Sequence, residues 1–202
     1  MERKNIPDAK NRILQAAVKV FAEKSFEGSR IDEVAREAGV PKSLIYYHFK
    51  SKNEIFEVLI SNFIQEFMAL LQVTENNTHQ SKADKLSQWL RDSRAFGEKN
   101  ADLVRIMFIE SLKKSNREPI VFKVVEAMVA AEEKLVQARN PEQYNRNERL
   151  VTKFFTGLIP NYAYLCFAES WTQYFGVERK EFDGLYAKIM TTTHEAYHRE
   201  QS

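Results

Sequence analysis

The spacing of Ala35, Gly39 and Ile45 constrains the fold of this 202-residue chain more than any other feature of its sequence. Two helices that cross closely around a tight turn need a small residue at their contact and a residue that tolerates a positive φ in the turn. They also need an apolar residue in the second helix, and the three positions meet these needs at the spacing of a helix-turn-helix. Apolar residues fill the places between them, namely Val34, Ala38 and Val40. The sequence therefore predicts two short helices, at about residues 30–38 and 41–49.

The residues around this motif predict where its helices begin and end. Ser29 is the expected N-cap of the first short helix, and Gly28 is the expected left-handed turn residue before it. Pro41 suits the first turn of the second short helix, because the N–H that proline lacks has no partner there in any case. Ser51 and Glu54 match the S-x-x-E capping box, which predicts the start of a longer helix.

The rest of the chain follows the helical apolar period rather than the alternation of a strand. Before the motif, apolar residues recur at helical spacing at Ile13, Leu14, Ala17, Val18 and Phe21. After it, longer helices are predicted at about residues 51–73, 81–98, 101–113, 117–138, 144–174 and 178–199. Pro160 is expected to kink or split the helix that contains it. The sequence thus predicts an all-α fold, with a three-helix domain at residues 1–52 and a larger helical domain at residues 53–202.

Charge is distributed unevenly along the chain. The formal net charge is +2, but residues 1–55 carry eleven Lys or Arg residues against eight Asp or Glu residues. No acidic residue occurs between Glu37 and Glu54. Three lysines fall inside that window, namely Lys42, Lys50 and Lys52. The sequence predicts a local basic surface there, of the kind that attracts nucleic acid.

The chain has the features of a cytoplasmic protein without a membrane span. Its first ten residues are charged and include no apolar segment of a signal peptide. The longest stretch without a charge, residues 154–168, is too short to cross a bilayer. The single cysteine, Cys166, cannot form an intramolecular disulfide, and it is expected to be a small buried residue.

The segment "YYHFKSK", residues 46–52, places aromatic and basic side chains on the second short helix and the turn after it. Ile45 and Phe49 lie one helical turn apart, so they are expected to share the inward face. The opposite face and its flanks then carry Ser43, Leu44, Tyr46 and Tyr47. These hydroxyls and rings are therefore predicted to lie on the surface.

This outward face has the chemistry of a surface that contacts double-stranded DNA. Hydroxyl and amine groups can contact phosphate, and Leu44 can contact a thymine methyl group in the major groove. Donors to the DNA backbone are expected at Tyr46, Tyr47 and His48. Lys52 adds a positive charge at the N-terminus of the next helix, where anions bind readily. The alternative is that Tyr46 and His48 are half-buried packing residues and that the lysines only increase solubility.

The segment "ILQAAVKVFAEKSFEGSRIDEVAREAGVPKSLIYYHFKSKNEIFEVLI" resembles the N-terminal domain of the tetracycline-repressor (TetR) family of bacterial transcription regulators. The "AREAG" helix, the "LIYYHFKSK" recognition segment and the capped helix that follows occur in the family's order over about residues 10–60. The resemblance implies a homodimer of nine-helix subunits whose recognition helices enter successive major grooves of a palindromic operator. It also implies an effector pocket in each C-terminal domain. Effector binding would shift the fourth helix and separate the two DNA-binding heads.

The resemblance assigns roles to individual residues by position. Base contacts fall to Lys42, Ser43 and Leu44. Phosphate contacts fall to Tyr46, Tyr47, His48 and Lys52. Arg30 and Ile31, at the start of the first short helix, would lie near the DNA backbone. This chain has Pro41 where many members of the family have a serine cap.

The C-terminal half is expected to supply the dimer interface and the effector pocket. The last helix presents a candidate dimer seam at Phe182, Leu185, Tyr186, Ile189, Met190, Thr193 and Tyr197, which could instead be an intrachain core stripe. Candidate pocket residues are Trp89, Phe96, Met107, Phe108, Phe122, Met128, Phe154, Phe155, Tyr162, Tyr164 and Trp171, each of which could instead be plain core. Their aromatic and sulfur-containing side chains suggest an apolar or aromatic effector.

Two other functions are compatible with parts of the sequence. The segment "HEAYH", residues 194–198, matches the H-E-x-x-H motif of zinc peptidases, in which two histidines bind zinc and the glutamate is the general base. Only four residues follow His198, which leaves no room downstream for a third zinc ligand. No Gly-rich phosphate loop or G-x-S-x-G motif is present, so neither an enzyme nor a cofactor is expected. The remaining alternative is an architectural or division-control factor that binds DNA without an effector.

Overall fold

The computed structural model describes residues 9–76, 82–113, 118–137 and 144–199, and all regular structure within these ranges is helical. The helices are α1 (Ala9–Lys24), α2 (Ile31–Ala38), α3 (Lys42–His48), α4 (Lys52–Asn76), α5 (Lys82–Lys99), α6 (Ala101–Ser111), α7 (Ile120–Gln137), α8 (Arg146–Val151), α9 (Ile159–Phe175) and α10 (Arg179–Arg199). A π-helical segment, Thr152–Leu158, joins α8 to α9. The predicted all-α fold is confirmed. Within the described ranges, no helix combines the length and the apolar character that a bilayer span requires.

The chain packs as two compact units. The N-terminal unit comprises the described residues within Met1–Glu66 and Asp102–Ile120. The C-terminal unit comprises those within Phe67–Ala101 and Val121–Ser202. Helix α6 therefore belongs to the same unit as α1, α2 and α3. The functional division at residue 52 stays a prediction.

The core of the N-terminal unit is made from the apolar stripes of α1 to α4 and α6. Its most deeply buried side chains include Ile13, Phe21, Val34, Ile45, Phe49, Ile55, Val104 and Met107. Each buried side chain of this size stabilises the fold by about 1.5–3 kcal/mol. The ring of Phe26 stacks on that of Phe56 at 4.8 Å, and Phe21 meets both rings edge-on. This core holds the two short helices in a fixed arrangement.

The turn between α2 and α3 follows the sequence prediction. Gly39 has a φ of 62°, in the left-handed region that a residue with a Cβ rarely adopts. Its N–H donates to the Arg36 carbonyl oxygen at 3.2 Å, and the Val40 N–H donates to that of Ala35 at 3.1 Å. Pro41 differs slightly from the prediction: it precedes the first turn of α3 as its N-cap, with a φ of −66°. The helix-turn-helix is therefore present at the expected residues.

The loop before α2 differs from the prediction at Ser29 and Gly28. Helix α2 begins one residue later, with Arg30 as its N-cap, and the Arg30 N–H donates to the Glu33 carboxylate at 2.9 Å. Ser29 is buried, and its hydroxyl donates to the Phe26 carbonyl oxygen at 2.7 Å, so it closes the loop instead of capping the helix. The left-handed residue is Ser25, with a φ of 63°. Gly28 is instead a close-approach site, since a Cβ there would lie 2.4 Å from the Lys24 carbonyl oxygen.

The capping box before α4 is only partly formed. The Glu54 N–H donates to the Ser51 hydroxyl oxygen at 3.1 Å, as the motif predicts. The Glu54 carboxylate accepts from the N–H of Lys50 at 2.5 Å rather than from that of Ser51. Both hydrogen bonds still occupy main-chain donors at the helix start, so α4 begins at Lys52 as expected.

Pro160 lies at the start of α9, directly after the π-helical segment. The Ile159 N–H donates to the Phe154 carbonyl oxygen, five residues earlier, which is the hydrogen bond of a π-helix. Proline has no N–H to donate, and its ring crowds the carbonyl four residues earlier. The side-chain amide of Asn161 donates to the Gly157 carbonyl oxygen at 3.0 Å. The backbone stays helical at both junctions, so the proline is accommodated by a wider turn rather than by a break.

Candidate nucleic-acid interface

Helix α3, the second helix of the helix-turn-helix, buries one face and exposes the other. Ile45 and Phe49 are buried in the N-terminal unit. Tyr47 is 81% exposed and Tyr46 is 50% exposed. Lys42 and Ser43 are exposed, whereas Leu44 and His48 are partly buried. The helix therefore displays hydroxyl, phenol and amine groups together on one surface.

The two rings at the end of α3 differ in their exposure. Tyr47 is exposed, as predicted, whereas His48 is partly buried, as the packing alternative predicts. The His48 ring meets the Tyr47 ring edge-on at 5.1 Å and lies 6.3 Å from the Phe49 ring. His48 thus bridges the buried and exposed faces. Tyr47 has too much exposed surface to be a packing residue of this chain.

Ion pairs attach α2 to the helices on either side of it. Lys19 pairs with Glu37 at 2.6 Å, and Lys24 pairs with Glu33, so α2 is tied to α1. On its other side, the Asp32 carboxylate lies 2.8 Å from the Lys42 ammonium. The hydrogen bond to Asp32 raises the pKa of Lys42, so the amine stays charged.

Lys52 occupies a position that sequence reasoning did not anticipate. Its ammonium donates to three main-chain carbonyl oxygens of the loop before α2: Phe26 at 2.5 Å, Ser29 at 2.9 Å and Glu27 at 3.2 Å. It also lies 4.6 Å from the centre of the Phe26 ring, in cation–π range. Burial lowers the pKa of this amine. A phosphate contact by Lys52 stays a prediction, but in this structure the amine holds the loop.

The same loop is also attached to α6. The Lys113 ammonium, which follows α6, lies 3.1 Å from the Glu27 carboxylate and 2.7 Å from that of Glu110. A cleft of about 160 Å³ opens beside these pairs, and its walls include Phe26 and Ile106. These contacts explain why α6 packs with the N-terminal unit.

Arg30 and Ile31 stand at the junction of this loop with α2. Arg30 is exposed and Ile31 is half-buried. Because Arg30 is the N-cap, the first free N–H groups of α2 point out of the helix at this place. The expected place of this pair near the DNA backbone stays a prediction.

The candidate pocket residues are divided between the two units. Met107 and Phe108 belong to α6 of the N-terminal unit, where Met107 is fully buried. The C-terminal unit contains Trp89, Phe96, Met128, Phe155, Tyr162 and Tyr164, with Phe122, Phe154 and Trp171. Tyr162 and Tyr164 are buried, whereas Phe155 and Phe122 are exposed. The pocket assignment stays a prediction, and Met107 has the burial of a core residue.

Tyr164 belongs to a polar network in the C-terminal unit. Its hydroxyl donates to the Asp183 carboxylate at 2.7 Å and accepts from the Arg179 guanidinium at 2.7 Å. The Arg94 guanidinium lies 2.8 Å from Asp183 and 4.2 Å from the centre of the Tyr164 ring. The ring stacks on Phe182 at 5.8 Å. This network joins α5, α9 and α10.

The candidate dimer seam on α10 is partly exposed. Leu185 is 49% exposed and Ile189 is 60% exposed, while Phe182, Tyr186 and Met190 are partly buried. Helix α9 exposes further apolar side chains that sequence reasoning missed as surface residues: Phe167, Trp171, Tyr174 and Phe175. Their only sequence signal is the aromatic richness of a stretch with few charges. The side chain of Tyr197 lies outside the described residues.

The H-E-x-x-H segment receives no structural test, because its side chains, those of His194, Glu195 and His198, also lie outside the described residues. Among the residues that the structure does describe, no group of three or more His, Cys, Asp or Glu side chains is placed to hold a metal ion.

Comparison with known proteins links the helix-turn-helix to a described family. Residues 13–59 match the family model "Bacterial regulatory proteins, tetR family". The chain is 30% identical over 102 residues to "Probable HTH-type transcriptional regulator YttP" of Bacillus subtilis strain 168, across 50% of this chain and 49% of that protein. It is 30% identical over 81 residues to "Biofilm operon icaADBC HTH-type negative transcriptional regulator IcaR" of Staphylococcus aureus strain Newman, across 40% of this chain and 43% of that protein. The matches thus span about half the length of these relatives.

Solved structures share the fold over nearly the whole chain. A TetR transcriptional regulator from Legionella pneumophila has a TM-score of 0.65 at 17% identity, covering 96% of this chain and 98% of that chain. The Bacillus subtilis transcriptional regulator FadR in complex with stearoyl-CoA has a TM-score of 0.60 at 17% identity, covering 90% of this chain and 97% of that chain. At these identities the likeness establishes the fold alone, and it agrees with an all-helical chain that begins with a helix-turn-helix.

Proposed function

We propose that the chain is a sequence-specific DNA-binding transcriptional regulator of the tetR family of bacterial regulatory proteins, whose family model matches residues 13–59. The proposed regulator is a homodimeric repressor in the cytoplasm that leaves a palindromic operator when a small apolar or aromatic effector binds. One observation carries the proposal. Tyr47, 81% exposed, stands on a short helix whose opposite face, Ile45 and Phe49, is buried. Helix α3 exposes the phenol groups of Tyr46 and Tyr47 together with the amine of Lys42. A short helix with such a surface is suited to contact with a DNA groove.

We assign the base contacts to the first turn of α3, because its side chains project from the end that a recognition helix inserts most deeply. Lys42 can donate to guanine O6 or N7, and Leu44 can contact a thymine methyl group. Ser43, exposed between them, can donate to or accept from a base. Under this assignment, one charged, one polar and one apolar side chain of the helix contact the bases.

We assign the phosphate contacts to the end of α3 and to the start of α2. Tyr46, Tyr47 and His48 can donate to phosphate oxygens, which fixes the register of the helix without reading sequence. Arg30 supplies a charge beside the free N–H groups of α2, a combination that favours anions. These groups border the base-reading residues, as positioning contacts must.

We place the dimer interface on α9 and α10. Leu185 and Ile189 lie one turn apart on the same face of α10, and both leave about half or more of their surface exposed. A contiguous patch of exposed apolar side chains favours a surface that another chain covers. A two-fold contact between two such surfaces would bury them on both subunits at once.

The effector is proposed to be apolar or aromatic and to bind in the C-terminal unit. The solved FadR structure, of the same fold, contains stearoyl-CoA, which supports an apolar ligand in this architecture. The centre of the Phe154 ring lies 5.3 Å from that of Phe122 and 4.9 Å from that of Phe155, and both of these neighbouring residues are exposed. An aromatic surface of this kind suits contact with an apolar ligand.

The first experiment selects the operator from a library of random double-stranded DNA with the full-length protein at low salt. The proposal expects a two-fold symmetric site whose half-sites are about one helical turn apart. Selection of no sequence, with no binding to the library even in dilute buffer, would overturn it.

The second experiment tests the recognition helix on the selected operator. Tyr47→Ala is expected to weaken binding about ten-fold at every sequence, and Tyr47→Phe to reproduce most of that loss if the hydroxyl donates to phosphate. Leu112→Ala is the control, since Leu112 is also an exposed large side chain, at 69%, in the N-terminal unit and has no proposed role. Equal effects of the Tyr47 and Leu112 changes on operator binding would show that α3 does not contact DNA.

A further inference from the structure

We infer that Asp32 determines DNA sequence specificity, by holding the ammonium of Lys42 in one position at the start of the recognition helix. This inference rests on the proposed function, because it concerns how the same surface chooses its sequence. Asp32 acts here as a positioning residue, and Lys42 is the residue that reads the base.

The geometry places Lys42 between two partners. Lys42 is the first residue of α3, and its Nζ lies 2.8 Å from Oδ1 of Asp32 on α2. The same Nζ lies 6.0 Å from the centre of the Tyr46 ring, at the limit of cation–π range. The ion pair with the carboxylate, together with the nearby ring, restricts the directions that the amine can take.

A constrained amine and a free amine read DNA differently. A lysine side chain has four rotatable bonds and about 2 kcal/mol of rotamer entropy, so a free lysine follows the nearest phosphate as a mobile charge. Asp32 occupies one of the three N–H donors of the ammonium and fixes the direction of the other two. A guanine offers two acceptors, O6 and N7, at one edge of the major groove. The ion pair between Asp32 and Lys42 therefore favours a contact of the amine with a base over a contact with a phosphate.

The position of Asp32 lowers the affinity for DNA, a disadvantage that an ion pair with a purely stabilising role would avoid by lying elsewhere. A carboxylate on the exposed surface next to DNA is repelled by phosphate, so Asp32 weakens binding to all sequences alike. The other carboxylates of α2 that form ion pairs, Glu33 and Glu37, point to lysines of α1 instead. Asp32 bonds to the recognition helix itself, where its effect on sequence choice can offset the lost affinity.

The test compares Asp32→Asn with Glu37→Gln in the full-length protein. Each variant removes one carboxylate from an exposed ion pair of α2, and each keeps a side chain of the same shape. Binding is measured by fluorescence anisotropy against the selected operator and against every single base-pair substitution in one half-site. Lys42→Met is measured on the same set, to find the base pair that Lys42 reads.

The two α2 variants are expected to differ in their discrimination between base pairs more than in their overall affinity for DNA. Asp32→Asn should bind all sequences a few-fold more tightly, since it removes a negative charge next to phosphate, whereas Glu37→Gln should change the affinity less because its carboxylate pairs with α1. Only Asp32→Asn should also lose discrimination at the base pair that Lys42 reads, from about ten-fold to about two-fold. Glu37→Gln should keep the wild-type preference at that base pair.

Three results would overturn the inference while leaving the proposed function intact. Asp32→Asn could keep full discrimination at that base pair, in which case its carboxylate is only a charge. The Asp32→Asn/Lys42→Met double variant could lose more preference there than Lys42→Met alone, in which case Asp32 contacts the base itself. Lys42→Met could leave every preference unchanged, in which case Lys42 reads no base. Failure of the wild-type protein to bind any operator would overturn the proposed function as well.

Discussion

The ammonium of Lys52 lies 2.5 Å from the main-chain carbonyl oxygen of Phe26, twenty-six residues earlier in the chain. The same amine donates to the Ser29 carbonyl oxygen at 2.9 Å, so the first residue of α4 is hydrogen-bonded to the loop that leads into α2. Since Arg30 and Ile31 follow directly after this loop, Lys52 stabilises the segment that leads into α2. A basic residue that is expected from its sequence position to face DNA thus stabilises a loop of the N-terminal unit in this structure.

The contacts of Lys52 predict the effect of its removal. Lys52→Met should lower the free energy of unfolding by about 2 kcal/mol, because charge-assisted hydrogen bonds are lost and partly buried carbonyl groups are left without them. Urea unfolding followed by circular dichroism measures this change. Lys50→Met is the matched control: Lys50 is exposed two residues away, and its removal should change stability by no more than about 0.5 kcal/mol.

Salt dependence distinguishes the two roles of Lys52. A lysine bound to phosphate adds about 0.9 to the slope of log affinity against log salt, whereas a lysine bound to carbonyl groups adds nothing to it. Lys52→Met is therefore expected to weaken operator binding with the salt slope unchanged. A slope reduced by about one, with stability unaffected, would show that the amine leaves the loop for phosphate in the complex.

Gly39 gives a second prediction, on the turn of the helix-turn-helix. Its φ of 62° is strained for any side chain, although no atom lies within 4 Å of where its Cβ would be. Gly39→Ala should therefore destabilise the protein by about 1 kcal/mol through backbone strain alone. Gly39→Asn is the control, since asparagine tolerates the left-handed region better and should cost less. Equal losses of melting temperature in both variants would contradict this explanation.

The sequence predicts the helix-turn-helix well because its signals are local. The glycine in the turn, the proline at the start of α3 and the serine before α4 each act within a few residues, so their patterns survive in the linear sequence. The helix boundaries differ from the structure by only a few residues for the same reason. The outward direction of Tyr47 also follows from the position of Ile45 alone.

Contacts that are distant in sequence could not be predicted in this way. Ser29 has the side chain of an N-cap, but burial of the loop and its hydrogen bond to Phe26 decide its role. The hydrogen bonds that Lys52 donates to the same loop depend on how α4 packs with α1 and α2 in the N-terminal unit. Met107 illustrates the limit for the pocket, since its residue type suits a ligand site while its actual place is the core of the N-terminal unit. Residue type alone does not distinguish a ligand-binding wall from a core.

The exposed face of α10 predicts how dimerisation will respond to a charge. Ile189→Glu should raise the dimer dissociation constant at least about a hundred-fold, since a two-fold interface loses about 1.5 kcal/mol or more on each subunit. Sedimentation equilibrium measures the constant. Lys188→Glu introduces the same side chain at the neighbouring exposed position and is expected to have a much smaller effect. Equal dissociation of both variants, or of neither, would place the interface elsewhere.

Tyr186 predicts how the stability of the C-terminal unit depends on alkaline pH. Burial raises the pKa of Tyr186 to about 12, from an ordinary value of 10. The folded protein therefore keeps this phenol neutral between pH 10 and 12, whereas the unfolded chain ionises it, so the free energy of unfolding should fall as pH rises through that window. Within the described part of the chain, the Tyr186 hydroxyl oxygen is buried without a hydrogen-bond partner. Tyr186→Phe should thus gain about 1 kcal/mol at pH 7 and lose less stability above pH 10.

Urea unfolding at a series of pH values from 7 to about 12 tests this prediction, with dimer concentration held constant so that association does not change the result. Tyr174→Phe is the matched control, because it removes an exposed hydroxyl from the same unit and keeps Tyr186 in place. That variant should still lose stability over the window in which the Tyr186→Phe protein loses less. If the two variants instead follow the same curve, the phenol of Tyr186 is reached by water, and its burial in the C-terminal unit does not govern the alkaline response.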